Sequence, residues 1–280
     1  MNKDQNQFYK PEEMIFHNDG REERLLEFIR AHPAYGEMQG NPEKILAAID
    51  QYGRTIDFLM NVGKEKGRIV AEELIPEFEP DLMVELGGYV GYSTLLFGAA
   101  LKRAGGRKYL SFEASPKFAA ISGSLVELAG LDDTVEIRVG PCRDSLRELR
   151  QSYATGVIDL LFIDHAKVEY VNDLKLCEEL GLVGLGTTVI ADNVISPGAP
   201  DYLEYVRSST SEKIARSQQK KISTVADDTK DTSLGDPYLV YETTSIDSFE
   251  PTGEPDSLEV SSCLRIEDES GSCLVRTAQT

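Results

Sequence analysis

Two apolar runs of the sequence end in polar side chains that could bind a metal ion. The run FIDHAK at 162–167 contains Asp164, and the run VIADNV at 189–194 contains Asp192 and Asn193. These residues offer three oxygen ligands and no thiolate, which suits a hard cation such as Mg²⁺. Either aspartate alone could instead be a helix cap, so the metal hypothesis depends on both runs ending at one place.

Two basic side chains follow Asp164 and could take part in chemistry at the same place. Lys167 lies three residues beyond Asp164, and a lysine that faced a bound metal could act as a base. A solvated surface lysine is the alternative interpretation of that position. His165 could line a cofactor pocket, or it could be a packing or capping residue.

A glycine-rich loop precedes these residues in the chain. The stretch ELGGYVGYS at 85–93 leads into a predicted helix, so its backbone could approach a nucleotide-sized ligand closely. Its glycines do not fit the GxGxxG pattern, and a plain tight turn is the alternative. Glu113 ends the next apolar run and could accept hydrogen bonds from both hydroxyls of a ribose. Together, the loop and Glu113 favour an adenosine-bearing cofactor.

Five apolar strands separated by amphipathic helices would position all of these groups. The predicted strands are 82–87, 108–113, 135–140, 157–164 and 187–192. The predicted helices are 93–103, one that follows Ser115 as cap and ends before Gly130, and three near 143–153, 168–180 and 199–208. This alternation is typical of an α/β protein with a parallel sheet covered on both faces. Ligands of such sheets bind beyond the carboxyl ends of the strands, where the candidate residues lie.

Two further helices are predicted before the first strand. Residues 41–60 carry Asn41 in a capping position and Pro42 at the first helical position, followed by one apolar face. A second helix is predicted over 64–75, closed by Pro76.

The last third of the chain is more polar. The insert 211–236 is predicted to be a surface loop, and 238–246 and 257–264 are predicted to form a hairpin on the sheet edge. The predicted organisation is a loosely ordered N-terminal segment (1–20), a single domain (21–268) and a C-terminal tail (269–280).

Composition narrows the possible partners. The chain has 280 residues and a formal charge of −19, with no basic stripe, which argues against nucleic acid as a partner. No apolar run approaches the roughly 20 residues that span a bilayer, and the first residues lack a secretory signal, so we expect a cytoplasmic protein without a membrane anchor. The four cysteines form no CxxC pair and no His/Cys cluster in the sequence, so reduced thiols are expected.

Several stretches together resemble the catechol O-methyltransferase family. They are NVG at 61–63, ELGGYVGYS at 85–93, DHAKVEY at 164–170 and ADNVISPGAPD at 191–201. The resemblance runs from about Gly40 to Arg207 and continues more weakly through the hairpin. It implies the Rossmann-like class I methyltransferase fold, a seven-stranded, mostly parallel sheet with an antiparallel last strand and helices on both faces.

The resemblance also implies a role for individual residues. It implies that Asp164, Asp192 and Asn193 bind Mg²⁺ and that Lys167 removes a proton from one hydroxyl. Residues implied to contact S-adenosylmethionine are Met60, Val62, Gly87, Tyr89, Ser93, Glu113, Ala114, Cys142, Arg143, Asp164 and His165. The family usually has Ser and Gln at the positions of Cys142 and Arg143. Residues implied to contact the acceptor are Phe58, Ala166, Lys167, Asn193, Pro197 and Glu250, with Glu250 on its second hydroxyl.

The chain departs from the family at the mouth of the implied acceptor site. The family places two tryptophans beside the catechol ring, whereas this sequence has no tryptophan and has Phe58 and Ala166 at those positions. Pro197 remains as a third wall. The resemblance therefore predicts a catechol-type acceptor, and the departure predicts tolerance of bulkier phenolics.

The sequence thus predicts Mg²⁺-dependent transfer of a methyl group from S-adenosylmethionine to a hydroxyl of a small vicinal diphenol. Two alternatives remain at this point. One is a nicotinamide-dependent oxidoreductase on a similar sheet, and the other is a catalytically idle protein that binds S-adenosylmethionine. Either a monomer or a dimer agrees with the sequence.

Overall fold

The fold is built around one mixed β-sheet. The computed structural model describes residues 7–11, 19–152, 156–223, 233–267 and 273–275. The strands are β1 Leu82–Leu86, β2 Lys108–Glu113, β3 Val135–Val139, β4 Leu160–Ile163, β5 Thr188–Ala191, β6 Leu239–Phe249, β7 Pro255–Glu267 and β8 Cys273–Val275. Their order is β3-β2-β1-β4-β5-β7-β6, with β8 paired to β7. The strands β1 to β5 pair in parallel, and β7 is antiparallel to both β5 and β6, so the predicted sheet is confirmed.

Helices cover both faces of this sheet. They are α1 Arg21–Arg30, α2 Tyr35–Met38, α3 Pro42–Thr55, α4 Gly63–Arg68, α5 Ile75–Phe78, α6 Tyr92–Arg103, α7 Pro116–Ala129, α8 Cys142–Ser152, α9 Tyr170–Glu179, α10 Pro200–Val206 and α11 Thr210–Ser223. Among the described residues, no helix is both long enough and apolar enough to cross a membrane.

The central strands β1, β4 and β5 are buried on both sides because their side chains alternate between two cores. Met83 of β1 and Phe162 of β4 belong to the core beneath α1, α3, α6 and α7. Their neighbours Val84 and Leu161 belong to the core beneath α8, α9 and α10. These central strands match the prediction of apolar strands covered on both faces, whereas the edge strand β3 carries Glu136 and Arg138 at partly exposed positions.

Local capping signals act as predicted. The Asn41 side chain accepts a hydrogen bond from the Lys44 amide at 3.2 Å, and Pro42 begins α3. The Ser115 hydroxyl accepts one from the Phe118 amide at 3.4 Å at the start of α7. Helix α7 ends at Gly130, whose φ of 66° lies in the left-handed region that glycine adopts at low cost.

The prediction that Pro76 closes a helix is wrong. Helical structure continues from α4 through π-helical turns at Ile69–Leu74 into α5, and Pro76 lies in the first turn of α5. A proline is tolerated there because its missing amide hydrogen belongs to the first turn of the new helix. The helix ends at Glu79, which has a φ of 44°.

The prediction of a surface loop over 211–236 is also wrong for its first half, which belongs to α11. Ser209 and Glu212 form a reciprocal cap, because the Glu212 carboxylate accepts a hydrogen bond from the Ser209 amide at 2.8 Å and the Ser209 hydroxyl oxygen accepts one from the Glu212 amide at 3.4 Å. The buried Lys213 donates to the carbonyl of Leu239 at 2.8 Å and so fastens α11 to β6. Residues 224–232 lie outside the described residues.

Both predicted loose ends contain ordered residues. Tyr9 is buried, and its hydroxyl donates to Asp50 at 2.7 Å while its amide donates to the Pro251 carbonyl at 2.9 Å. Residues 273–275, which were expected in a tail, form β8. Within the two segments that were predicted to be loose, residues 1–6, 12–18, 269–272 and 276–280 lie outside the described residues.

Candidate active site

The carboxyl ends of the parallel strands open into one cavity of about 740 Å³. In this strand order β1 lies between β2 and β4, so the chain crosses to opposite sides of the sheet after β1, and ligands bind at such a point. Every residue that the sequence assigned to a cofactor, a metal or an acceptor lines this cavity. The sequence therefore located the cavity correctly, while the role of each residue stays a prediction.

The glycine loop after β1 passes very close to the end of β4. Gly87 has a φ of 98°, and a Cβ atom on it would lie 2.3 Å from the carbonyl oxygen of Asp164. No other residue type fits that position without moving β1 or β4. The contact holds the loop and Asp164 at the same edge of the cavity.

Glu113 closes the other side of that loop. Its carboxylate accepts hydrogen bonds from the amides of Tyr89 at 2.8 Å and Ser115 at 2.7 Å. The side chain is buried, which raises its pKa, while the two amides favour the ionised form. Glu113 is therefore held in one orientation, with carboxylate lone pairs left to accept hydrogen bonds from a ligand in the cavity.

The opposite end of the cavity gathers charged groups around Lys167. The ammonium of Lys167 donates to Asp164 Oδ1 at 3.1 Å, Asn193 Oδ1 at 2.8 Å and the Tyr170 hydroxyl at 2.5 Å. The ends of β4 and β5 thus meet, as predicted from their adjacency, and a positive charge already lies between two of the three predicted oxygen ligands.

Asp192, the third predicted ligand, is almost completely buried. Its Oδ1 accepts from the Asn193 amide at 2.7 Å, whereas its Oδ2 has no hydrogen-bond partner among the described residues. Burial raises the pKa of Asp192 to about 6. A buried carboxylate oxygen without a partner is costly unless a ligand satisfies it, and a hard cation fits this donor set.

Comparisons with known proteins agree with this geometry. A sequence model of the family described as O-methyltransferase matches residues 48–227, which is more than half of the chain. The chain belongs to the O-methyltransferase family. The enzyme class predicted from the sequence is thereby confirmed.

Curated relatives of this O-methyltransferase extend the comparison. Catechol O-methyltransferase of Bos taurus is 38% identical over 201 residues, which cover 72% of this chain and 71% of the relative. Catechol O-methyltransferase of Mus musculus is 40% identical over 68% of this chain and 69% of the relative. A transmembrane O-methyltransferase of Homo sapiens is 37% identical over 67% of this chain and 62% of the relative. These relatives confirm the resemblance found in the sequence.

Solved structures share the fold. An O-methyltransferase from Bacillus cereus in complex with SAH has a TM-score of 0.53 at 21% identity, covering 89% of this chain and 92% of the other. The O-methyltransferase TomG from Streptomyces achromogenes in complex with SAM has a TM-score of 0.52 at 17% identity, covering 89% and 99%. Because the identities are low, this likeness concerns the fold alone.

Sequence reasoning missed Lys66 of α4. Its side chain is completely buried, and its ammonium donates to Asp192 Oδ1 at 2.5 Å, Glu250 Oε1 at 2.5 Å and Asp256 Oδ2 at 2.9 Å. Burial alone would lower its pKa, but the three carboxylates raise the pKa above its usual value. A signal was available, because Val62 and Val70, one turn away on either side, place Lys66 on the apolar face of the helix.

Asp256 is the second residue that was missed. It is buried, and its Oδ1 accepts hydrogen bonds from the amides of Ile195 at 3.1 Å and Ser196 at 2.9 Å, in the loop that carries Pro197. Burial opposes its ionisation, but Lys66 and the Ser196 amide hold the pKa of Asp256 below its usual range. Nothing in the sequence marked this aspartate, because it lies on β7, far along the chain from the other site residues.

Glu250 lines the cavity although the prediction for the insert before it was wrong, and its role at an acceptor hydroxyl stays a prediction. Glu250 follows β6 at the hairpin turn, and its carboxylate accepts hydrogen bonds from Lys66 and from the side-chain amide of Asn193. Burial raises the pKa of Glu250 to about 8, although Lys66 opposes this shift. The side chain lines the cavity beside Asn193 and Pro197.

Proposed function

We propose that this O-methyltransferase transfers a methyl group from S-adenosylmethionine to one hydroxyl of a catechol-type substrate in a Mg²⁺-dependent reaction. One observation supports this most strongly. Asp164, Asn193 and the Asp192 oxygen without a partner converge where β4 and β5 end, beside Lys167 and in a cavity large enough for a cofactor and a small acceptor. The bovine and murine relatives named catechol O-methyltransferase support the acceptor class.

The reaction needs help because a phenol is a poor nucleophile at neutral pH. With a pKa near 10, only about one part in a thousand is ionised at pH 7, which corresponds to roughly 4 kcal/mol. Bound by Asp164, Asp192 and Asn193, Mg²⁺ would stabilise the phenolate of a vicinal diol. Lys167 would accept the proton of the hydroxyl to be methylated, and Glu250 would hydrogen-bond the second hydroxyl.

The cofactor end would supply positioning. Glu113, fixed by the amides of Tyr89 and Ser115, would accept hydrogen bonds from the two ribose hydroxyls. Gly87 and Asp164, which the close backbone approach holds together, would both face the cofactor in the cavity. A cofactor held at one end and an acceptor held at the other would bring methyl carbon and nucleophilic oxygen into line, which supplies much of the acceleration.

The test is the release of S-adenosylhomocysteine with a panel of catechols, catechol acids and monophenols, each with Mg²⁺ and with excess EDTA. We expect turnover of vicinal diols alone, abolished by EDTA and restored by added Mg²⁺. Turnover that is indifferent to EDTA would reject the metal assignment. Turnover of monophenols as fast as diols would reject the chelation of two vicinal oxygens.

The oxidoreductase and the catalytically idle binding protein are the two alternatives to this proposal, and neither would release S-adenosylhomocysteine in this assay. Membership in the O-methyltransferase family argues against the nicotinamide-dependent oxidoreductase. A catalytically idle protein would bind S-adenosylmethionine with no S-adenosylhomocysteine released from any acceptor. The presence of all three oxygen ligands and Lys167 in one cavity favours the active enzyme.

A further inference from the structure

The fold brings together a cysteine, a histidine and an aspartate whose spacing in the sequence does not indicate a metal site. Cys142 at the start of α8, His165 after β4 and Asp173 in α9 each offer a ligand atom, and these atoms lie within 4.8 Å of one another. All three residues line the cavity. This cluster shares no residue with the predicted Mg²⁺ ligands.

Two atoms of the cluster lack hydrogen-bond partners in the part of the chain that the structure describes. Nδ1 of His165 and Oδ1 of Asp173 are both buried in this state. Nε2 of His165 lies 2.9 Å from Asp173 Oδ2, and an Arg143 guanidinium nitrogen lies 3.5 Å from Asp173 Oδ1. The Asp173 carboxylate is only 2% exposed. Its two oxygens can accept more hydrogen bonds than the neighbouring residues donate.

The charges around Cys142 favour a cation over a nucleophilic thiolate. Burial, followed by the carboxylates of Asp173 and Glu113, raises the pKa of Cys142 to about 12. A thiol of this kind is not activated for covalent catalysis, despite the adjacent histidine. The same two carboxylates would stabilise a bound divalent ion, while the Arg143 guanidinium, 3.5 Å from Asp173 Oδ1, opposes it. Formation of a metal–sulfur bond would release the thiol proton to solvent.

We propose that Cys142, His165 and Asp173 form a second cation site that takes thiophilic ions such as Zn²⁺ or Cd²⁺ in the wall of the cofactor cavity. Sulfur, nitrogen and carboxylate donors select such ions, whereas Mg²⁺ prefers oxygen alone. Bonds of about 2.0–2.3 Å require ligand atoms roughly 3.5 Å apart, so atoms that now lie within 4.8 Å of one another must adjust on binding. The cavity leaves the fourth position open to water.

The position of this site predicts its effect. Cys142, His165 and the adjacent Arg143 are among the residues assigned to the cofactor, so an ion held there occupies space that S-adenosylmethionine would use. This part of the inference rests on the proposed function. It predicts that Zn²⁺ raises the apparent KM for S-adenosylmethionine and leaves kcat unchanged at saturating cofactor.

The experiment is a titration of the metal-free full chain with Cd²⁺, followed by the ultraviolet absorbance of the cadmium–thiolate bond. We expect a band that saturates at one equivalent and is absent in Cys142→Ser, because that variant lacks the only thiolate of the site. Cys273→Ser, which changes a cysteine of β8, should leave the band intact. Circular dichroism of both variants checks that they fold.

The outcomes separate the site from the proposed function. Absence of the band in the unmodified chain, or its persistence in folded Cys142→Ser, would overturn the site. Should Cys142→Ser not fold, Asp173→Asn serves instead, and an unchanged Cd²⁺ affinity in that variant would overturn the site. Saturating S-adenosylhomocysteine should suppress the band, and a band that is unaffected by a bound cofactor product would overturn the overlap with the cofactor. The titration needs no turnover, so it stands even if the enzyme methylates no catechol.

Discussion

The ammonium nitrogen of Lys66 lies 2.5 Å from a carboxylate oxygen of Asp192, 126 residues further along the chain. Both side chains are buried, so this pair is screened little by water. Lys66 therefore connects α4 to Asp192, a predicted metal ligand at the end of β5. It also connects α4 to Glu250 and Asp256 of the β6–β7 hairpin. A buried ammonium paired with three carboxylates therefore lies beside the predicted metal ligand.

Lys66→Met should destabilise the protein strongly. Removing one partner of a buried ion cluster leaves uncompensated charge and costs about 3–5 kcal/mol. Urea unfolding measures this difference. Lys64→Met is the matched control, because Lys64 is exposed two residues away and should change stability by less than about 0.5 kcal/mol. Equal stabilities of the two variants would show that the cluster contributes nothing.

Lys167→Met should lose turnover while keeping cofactor affinity. The Lys167 ammonium contacts Asp164 and Asn193 at the acceptor end, and loss of a general base lowers kcat by about 10²–10⁴-fold. Calorimetry with S-adenosylhomocysteine should give an unchanged Kd, since Lys167 is not among the residues assigned to the cofactor. Lys102→Met, at an exposed ion pair with Asp133, should be fully active. A Lys167→Met enzyme with more than half of the original kcat would assign the base to another group.

Glu85 should make the unfolding free energy depend on pH. This carboxyl of β1 is completely buried, and burial raises its pKa from 4.5 to about 7. Below pH 4.5 it is protonated in both states. Between pH 4.5 and 7 it ionises in the unfolded chain only, so stability falls as pH rises, by roughly 3 kcal/mol in total.

Glu85→Gln should remove that dependence. The Thr94 and Ser111 hydroxyls, each 2.7 Å from Glu85 Oε2, can donate to an amide oxygen in the same way. The free energy of unfolding, measured in urea at pH 5 and pH 8, should be higher for the variant relative to the unmodified protein at pH 8 than at pH 5. Glu127→Gln, at an exposed position, controls for removal of a negative charge. A gain of the same size at both pH values would contradict the burial of a protonated Glu85.

Ala166→Trp should narrow the range of acceptors. Ala166 and Pro197 are exposed at the cavity and Phe58 is half-buried, so the mouth is wide at the position of Ala166. The larger ring should lower kcat/KM for catechols with bulky substituents about 10-fold or more relative to catechol itself. Val168→Trp is the control, because Val168 is 78% exposed outside the cavity lining. If the unmodified enzyme already prefers simple catechols strongly over bulky ones, the wide mouth has no effect on specificity.

The sequence by itself determined the sheet, the cavity and the predicted ligand set. Alternating apolar runs and amphipathic segments specify parallel strands with helices on both faces, because each strand must be covered on both sides. Polar residues directly after the strands then converge at the carboxyl edge whatever the details of the loops. The family resemblance supplied the expected roles of these residues, including Glu250 on the far hairpin.

Only the tertiary structure decided which distant groups share a buried environment. The Ser209 and Glu212 cap of α11 could be read from the chain, but its anchoring by Lys213 on β6 could not. Likewise, Cys142, His165 and Asp173 meet because α8 and α9 pack side by side, and Lys66 reaches Asp192 because α4 lies against the acceptor end. The physical reason is that burial and charge pairing depend on long-range packing, which local propensity and spacing do not encode.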